Sequence, residues 1–343
     1  MIYRSKAPLR IGLAGGGTDV SPYSDLYGGA ILNATISLYA NATIEPISDN
    51  KIILEGIDRN EEQQFEWRDE LPIDGKLDLL KGIYNRIQKD YGMGQNGSKG
   101  FRLSTYVDAP AGSGLGTSST LVVAIIGAFT EMLRLPLGEY DMAQYAYEIE
   151  RKDLNLAGGK QDQYAATFGG VNFMEFYADD KVIVNPLRIK QQYLFELENN
   201  LLLYYTSTSR DSANIIQKQS KNVVDKKGSS IEAMHQLKEQ ARLMKEALLK
   251  GKLHDFGEIL DIGFQQKRQM AEGISNPLIE EIYDTAKKAG ATGGKISGAG
   301  GGGFMIFYCP VNTKYAVIKS LERFGGRYRR YKFTEHGLTT WTI

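Results

Sequence analysis

Residues 108–120 read Asp-Ala-Pro-Ala-Gly-Ser-Gly-Leu-Gly-Thr-Ser-Ser-Thr and run without a break into the apolar stretch 121–129. Glycine stands at every second position (Gly112, Gly114, Gly116), and the helix that follows begins with amides that have no partner in their own turn. Those amides sit at the positive end of the helix dipole. Ser113, Thr117, Ser118 and Ser119 add hydroxyls. One Ser or Thr is enough to cap a helix; four of them among three glycines make an anion seat, with phosphate the natural occupant. No Lys follows the last glycine, so this is not a Walker A loop. The helix behind it, 118–134, is apolar nearly all round and has to be buried.

Two further glycine clusters flank this one. Gly12–Gly17 follows a short apolar strand and ends in Thr18-Asp19, which places a hydroxyl and a carboxylate at the mouth of a tight turn. Asp19 also suits a plain helix N-cap there. Residues 293–303 (GGKISGAGGGG) contain a formal G-x-G-x-x-G, but a helix precedes it and a strand follows, the reverse of a dinucleotide fingerprint. Close packing of this loop against another part of the chain is the better reading.

Between the clusters, alternation of β-branched and aromatic residues predicts strands at 31–46, 51–57, 101–107 and 171–176, and a helix at 138–153. From about 190 the texture changes. A buried strand at 200–206 precedes helices at 230–250, 254–272 and 276–289, then strands at 304–309 and 327–334. The fold class is α+β, with the second half a sandwich of helices on an antiparallel sheet. The boundary falls near 190–200, dividing the chain into 1–195 and 196–343.

Composition removes several functions. The chain has 343 residues with 41 basic and 41 acidic side chains, so it is not built mainly to grip nucleic acid or an anionic membrane. The basic-aromatic run 327–332 (RYRRYK) reads as a charged edge strand rather than an RNA surface. One Cys excludes an internal disulfide or a Cys₂ zinc site, and His235, His254 and His336 share no metal-ligand spacing. The first residues lack the apolar core of a signal peptide, and 121–129 is too short to span a bilayer, so the expected location is cytoplasmic.

Taken in order, these segments resemble the GHMP small-molecule kinases. The family's P-x-x-x-G-L-G-S-S is matched by Pro110 through Ser119, with Leu115 at its Leu; its N-terminal Ala-Pro segment by Ala7–Arg10; its late glycine run by Lys295–Gly303. The sugar-kinase form of the first motif ends Gly-Glu-His-Thr-Asp; Gly16 and Gly17 replace the Glu and His here. That glycine form, with GGKQDQYAATFGG at 158–170, is most similar to heptose phosphate kinases within the family.

The resemblance implies a two-domain fold: an N-terminal mixed sheet with helices, a C-terminal ferredoxin-like sandwich, and an active site in the cleft between them. It implies ATP and Mg²⁺, and a sugar phosphate phosphorylated at its anomeric hydroxyl. Asp162 matches the catalytic Asp and Arg10 its partner cation. Pro110, Gly112, Ser113, Gly114, Leu115, Gly116, Thr117, Ser118 and Ser119 match the nucleotide loop. Ser118 and Glu150 match the metal ligands, although Glu150 lies one residue further from Asp162 than the family spacing, which leaves Glu148 or a loop insertion as alternatives. Gly16, Gly17, Thr18, Asp19, Gly300 and Gly301 are expected at the sugar. A substrate that already carries phosphate needs a second anion site, for which Ser209, Arg210 and Ser212 or Lys160 are candidates. The rival expectations are a kinase for a free sugar such as fucose or galactose, and a catalytically silent sensor of sugar and ATP. The oligomeric state is open.

Overall fold

The computed structural model describes residues 1–93, 100–208 and 212–343. The first half runs β1 (Tyr3–Ala14), α1 (Tyr23–Tyr27), β2 (Gly29–Ile47), β3 (Lys51–Gly56), β4 (Glu61–Glu66), α2 (Asp78–Tyr91), β5 (Gly100–Val107), α3 (Thr117–Leu133), α4 (Glu139–Glu148), α5 (Gln161–Phe168), β6 (Val171–Phe176) and β7 (Val182–Pro186). The second runs α6 (Gln191–Asn200), β8 (Leu201–Tyr205), α7 (Ser212–Val224), α8 (Gly228–Lys250), α9 (Leu253–Met270), α10 (Pro277–Lys288), β9 (Gly293–Ile296), β10 (Phe304–Tyr308), α11 (Thr313–Leu321), β11 (Arg327–Tyr328) and β12 (Thr339–Thr342).

β1 through β7 and β12 form one eight-stranded sheet, mixed because β3 and β5 pair in parallel while its other strand pairs are antiparallel. Its organiser is β2, whose 19 residues are long enough to pair with β1 along most of their length, with β5 at one end and with β6 at the other. β11, β8, β10 and β9 form the second, antiparallel sheet. The architecture is the α+β arrangement expected from the sequence.

α3 is the buried helix that its composition requires: Val122, Val123, Ile125, Ile126 and Phe129 are fully buried. Each such side chain contributes about 1.5–3 kcal/mol relative to exposure. That burial fixes the N-terminal end of α3, and hence the glycine loop before it, against β1 and β2. One apolar core runs through both halves, joining Leu9 and Ile11 on β1 to Met244, Leu248 and Phe256 on α8 and α9.

Three sequence expectations need correction. The strand predicted over 327–334 is two residues long: after Tyr328 the chain leaves β8 and crosses to the first sheet, where Phe333 bridges Ile36. The terminal strand β12, which sequence patterning missed, pairs with β1 and covers its edge, so the end of the chain belongs to the first sheet. The helix predicted over 138–153 is α-helical only to Glu148 and continues as a π turn over Ile149–Asp153.

Candidate active site

The three glycine clusters meet in one place. Gly114 in the second cluster and Gly298 in the third lie back to back: a Cβ on Gly298 would come 2.6 Å from Gly114 Cα, and one on Gly114 would come 2.5 Å from the Ser297 carbonyl oxygen. Both have positive φ, 85° and 69°, so glycine is required there twice over. The Phe304 amide donates to the Ser113 carbonyl at 2.8 Å, and Ser297 Oγ donates to Gly114 O at 2.7 Å. The third cluster is thus a packing loop, and it joins strand β9 to strand β10 rather than a helix to a strand as the sequence suggested.

A cavity of about 420 Å³ opens beside this junction. Its floor is the second cluster. Gly112, Gly114 and Gly116 all have positive φ (70°, 85° and 77°), with residues of negative φ between them. Alternation of this kind turns successive amides toward one side, an anion nest. Gly116 precedes α3 without a side-chain cap, leaving the amides of the first turn available. Gly112, Gly114, Gly116, Thr117, Ser118 and Ser119 line the cavity, while Pro110, Ser113 and Leu115 do not. Leu115 is in the core and Ser113 is buried behind the loop; both anchor it.

Asp162 enters from the first turn of α5, against Gly116, where a Cβ would lie 3.0 Å from the carboxylate carbon. Arg10 on β1 donates to Asp162 Oδ1 through Nε and Nη2, each at 2.6 Å, and through Nη1 to Gly114 O at 2.7 Å. A charge-assisted pair with two bonds to one oxygen holds the carboxylate, and Asp162 lines the cavity.

Asp19 orients α5. Its Oδ2 accepts from the Lys160 and Gln161 amides, 141 and 142 residues away in sequence, at 2.9 and 3.1 Å, and so caps α5 rather than its own helix. The approach is so close that any side chain on Gly159 would strike it. Asp19 Oδ1 and Gln161 Oε1 are buried with no partner among the described residues, and both residues line the cavity. Burial, helped by the nearby Asp162 charge, raises the Asp19 pKa. Gly16 and Gly17 line the cavity too. Thr18 does not: its hydroxyl donates to the Gly15 and Ala30 carbonyls and accepts from the Ala30 amide, so it builds the turn.

The π turn sets the two glutamates apart. Its i to i+5 bond, from the Leu154 amide to Ile149 O at 2.9 Å, accommodates one extra residue. Glu150 then faces Ser118, with Ser118 Oγ 3.4 Å from Glu150 Oε1, while Glu148 is held away from the cavity by Arg86 at 3.0 Å.

Of the two candidates for the second anion site, only Lys160 lies wholly within the described residues. Lys160 is buried, but its ammonium is 3.0 Å from Asp180 and 3.6 Å from Asp25, away from the cavity. Gly300 and Gly301 pack on Ile274, whose carbonyl accepts from the Gly301 amide; Gly298 and Ala299 line the cavity in their stead. Ser209 and Arg210 lie outside the described residues, and Ser212 is placed only as the start of α7. Sequence reasoning missed Lys267 on α9 and, as a site residue, Lys295 on β9. Both are buried in the cavity wall, their ammonium groups donating to Gly298 O at 2.6 Å and Gly12 O at 2.9 Å. Burial, with Arg10 nearby, lowers Lys267 to about 8; burial and the Lys267 and Arg10 charges also hold Lys295 well below the usual lysine range. No sequence signal marks Lys267, whereas Lys295 stands inside the third motif.

Comparison with known proteins places the chain. A model of the GHMP kinases N terminal domain matches residues 78–170, and one of the GHMP kinases C terminal domain matches residues 244–326. A D-glycero-alpha-D-manno-heptose 7-phosphate kinase from Campylobacter jejuni is 49% identical over 340 residues, 99% of each chain. The crystal structure of a D-glycero-D-manno-heptose 1-phosphate kinase from Bacteroides thetaiotaomicron superposes with a TM-score of 0.84 at 46% identity, covering 99% of both chains. An L-fucokinase/L-fucose-1-P guanylyltransferase from Bacteroides fragilis is 29% identical over 88% of this chain but only 34% of that longer protein.

Proposed function

The chain belongs to the GHMP kinases, and from that premise we propose that it transfers the γ-phosphoryl group of ATP to the anomeric hydroxyl of D-glycero-D-manno-heptose 7-phosphate, giving the 1,7-bisphosphate and ADP in the cytoplasm. The observation that carries this reading is the Arg10–Asp162 pair set directly against the nest of alternating glycines. Phosphoryl transfer depends on positioning and charge stabilisation, and these residues supply both.

The amides of 112–118 hold the nucleotide phosphates. The sugar lies against Gly16, Gly17 and Asp19, where Asp19 Oδ1 and Gln161 Oε1 accept from its hydroxyls. Asp162 orients the anomeric hydroxyl and takes its proton as the oxygen attacks the γ-phosphorus and the bond to the β-phosphate oxygen breaks. Arg10 fixes the carboxylate and balances charge gathering on the transferring group.

Mg²⁺ binds through substrate phosphates, water and one or two protein oxygens. Ser118 and Glu150 fit that need, since they line the cavity beside the glycine nest with Ser118 Oγ 3.4 Å from Glu150 Oε1. When bound with ATP, Mg²⁺ supplies charge neutralisation at the β- and γ-phosphates.

A coupled ADP-release assay across heptose 7-phosphate, unphosphorylated heptose, fucose and galactose tests the reading. Turnover confined to the phosphorylated heptose is expected. Turnover of free sugars alone sinks it, and binding of sugar and ATP without ADP release indicates a silent sensor.

A further inference from the structure

Four lysines among the described residues are buried: Lys81, Lys160, Lys267 and Lys295. Two of them are neutralised inside the protein. Lys81 reaches Asp74 at 2.6 Å and Asp78 at 3.0 Å, and Lys160 reaches Asp180 at 3.0 Å. The other two, Lys267 and Lys295, have no carboxylate within ion-pair distance among the described residues, and both line the cavity. Each ammonium gives one N–H to a backbone carbonyl and keeps two. A buried charge without a counter-charge is costly to the fold. Its retention at two adjoining positions in a ligand cavity indicates that the missing negative charge arrives with a ligand.

Phosphate enters this cavity from two sources under the proposed reaction, the nucleotide and the acceptor sugar, and the two need separate seats. The transferring group lies between the glycine nest and Asp162, a region served by Arg10, the α3 amides and Ser118. Lys267 stands over the first glycine cluster: a Cβ on Gly16 would lie 3.6 Å from its Nζ. Gly17 is likewise covered from the second half, by Met270 and Gln219, whose Nε2 donates to Gly17 O at 2.8 Å. The space left without a side chain at Gly16 thus faces the Lys267 ammonium. Lys267 feels the Arg10 charge, which opposes its own, and then the Asp19 carboxylate on the sugar side, which favours it.

We propose that Lys267, assisted by Lys295, determines substrate specificity by receiving the phosphate that the acceptor sugar already carries. The proposal rests on the sugar-phosphate reading above and assigns the residue that enforces it. A free sugar of the same shape leaves two buried ammonium groups unpaired, and sites with buried unpaired polar groups discriminate strongly against such analogues.

The test is steady-state kinetics of Lys267→Met with heptose 7-phosphate and with unphosphorylated heptose, at saturating ATP. For the phosphorylated acceptor, KM should rise about tenfold to a hundredfold, the loss expected for a charge-assisted hydrogen bond. Its kcat and the KM for ATP should stay near wild type, and turnover of unphosphorylated heptose should hold or improve. Lys267→Arg should recover part of the loss, and Lys295→Met should show the same split with a smaller rise. Lys267→Gln serves the same comparison if the Met variant does not fold. An unchanged KM for the sugar phosphate overturns the proposal, as does an equal fall in kcat for both acceptors, which assigns Lys267 to the transferring group. If the wild-type enzyme itself ignores heptose 7-phosphate, the fault lies with the substrate reading rather than with Lys267.

Discussion

One wall of the cavity is made of backbone and the other of side chains. The first-half wall offers amides from 112–118, turned inward by glycines at alternate positions, with Asp162 set against them. The third glycine cluster adjoins the second-half wall, yet there the glycines serve chain-to-chain packing: Gly298 against Gly114, Gly300 against Ile274. Its chemistry comes from two lysines delivered by α9 and β9. Glycine marks where something approaches the backbone closely. Only the identity of what approaches decides between a ligand site and a joint.

The comparison can be pressed at both walls. Asp162→Asn removes the proton acceptor from the first wall and should lower kcat by about 10²–10⁴-fold, the usual share of a general base. Unchanged ATP affinity, measured by calorimetry, should accompany that loss; near-normal turnover removes Asp162 from the chemistry. Gly114→Ala and Gly300→Ala separate the two uses of glycine. Both put a side chain at positive φ against backbone, costing about 1–3 kcal/mol each and lowering Tm. Only Gly114→Ala should also raise the KM for ATP; an equal rise in Gly300→Ala would make the third cluster a nucleotide loop.

A smaller effect distinguishes two glutamates on one helix. Glu150→Gln should raise the Mg²⁺ concentration for half-maximal rate on the order of tenfold, whereas Glu148→Gln, whose partner is Arg86, should leave it unchanged. A reversed result would mean that the π turn does not set the metal-facing residue.

At the second wall the handle is pH. Lys267 has its pKa lowered from 10.5 to about 8 by burial and the Arg10 charge, with Asp19 opposing and Lys295 also nearby. The folded protein therefore binds fewer protons than the unfolded chain between about pH 8 and 10.5. For this group, stability without ligand rises with pH across that window. An anion favours the charged ammonium, so the KM for sugar phosphate should climb above pH 8 by up to about tenfold per unit. A flat profile from pH 7 to 9.5 contradicts this. Lys160→Met gives the least kinetic change: its acids are Asp180 and Asp25, so Tm falls while both KM values stay within about twofold.

The sequence carried the first wall well, because alternating glycines before an apolar helix have few other uses, and Arg10, Asp162, Ser118 and Glu150 do come together. The second wall was far less legible. Lys267 looks like any charged residue on an amphipathic helix, and only the packing of α9 against the first glycine cluster makes it a cavity residue. Lys160 misled for the opposite reason: its place beside Asp162 in sequence says nothing of Asp180, which lies on the turn between β6 and β7 and draws it away. β12 was missed because Thr339–Thr342 is a short edge strand whose partner, β1, is at the other end of the chain.

The central claim is that a second phosphate is placed on the anomeric oxygen of a sugar that already has one. The phosphorus NMR spectrum of the product formed from heptose 7-phosphate, ATP and Mg²⁺ tests it directly. Two phosphate ester signals of equal intensity, one split by coupling to the anomeric proton, are predicted. A single ester signal alongside ADP, or a new ester without that coupling, would contradict the account.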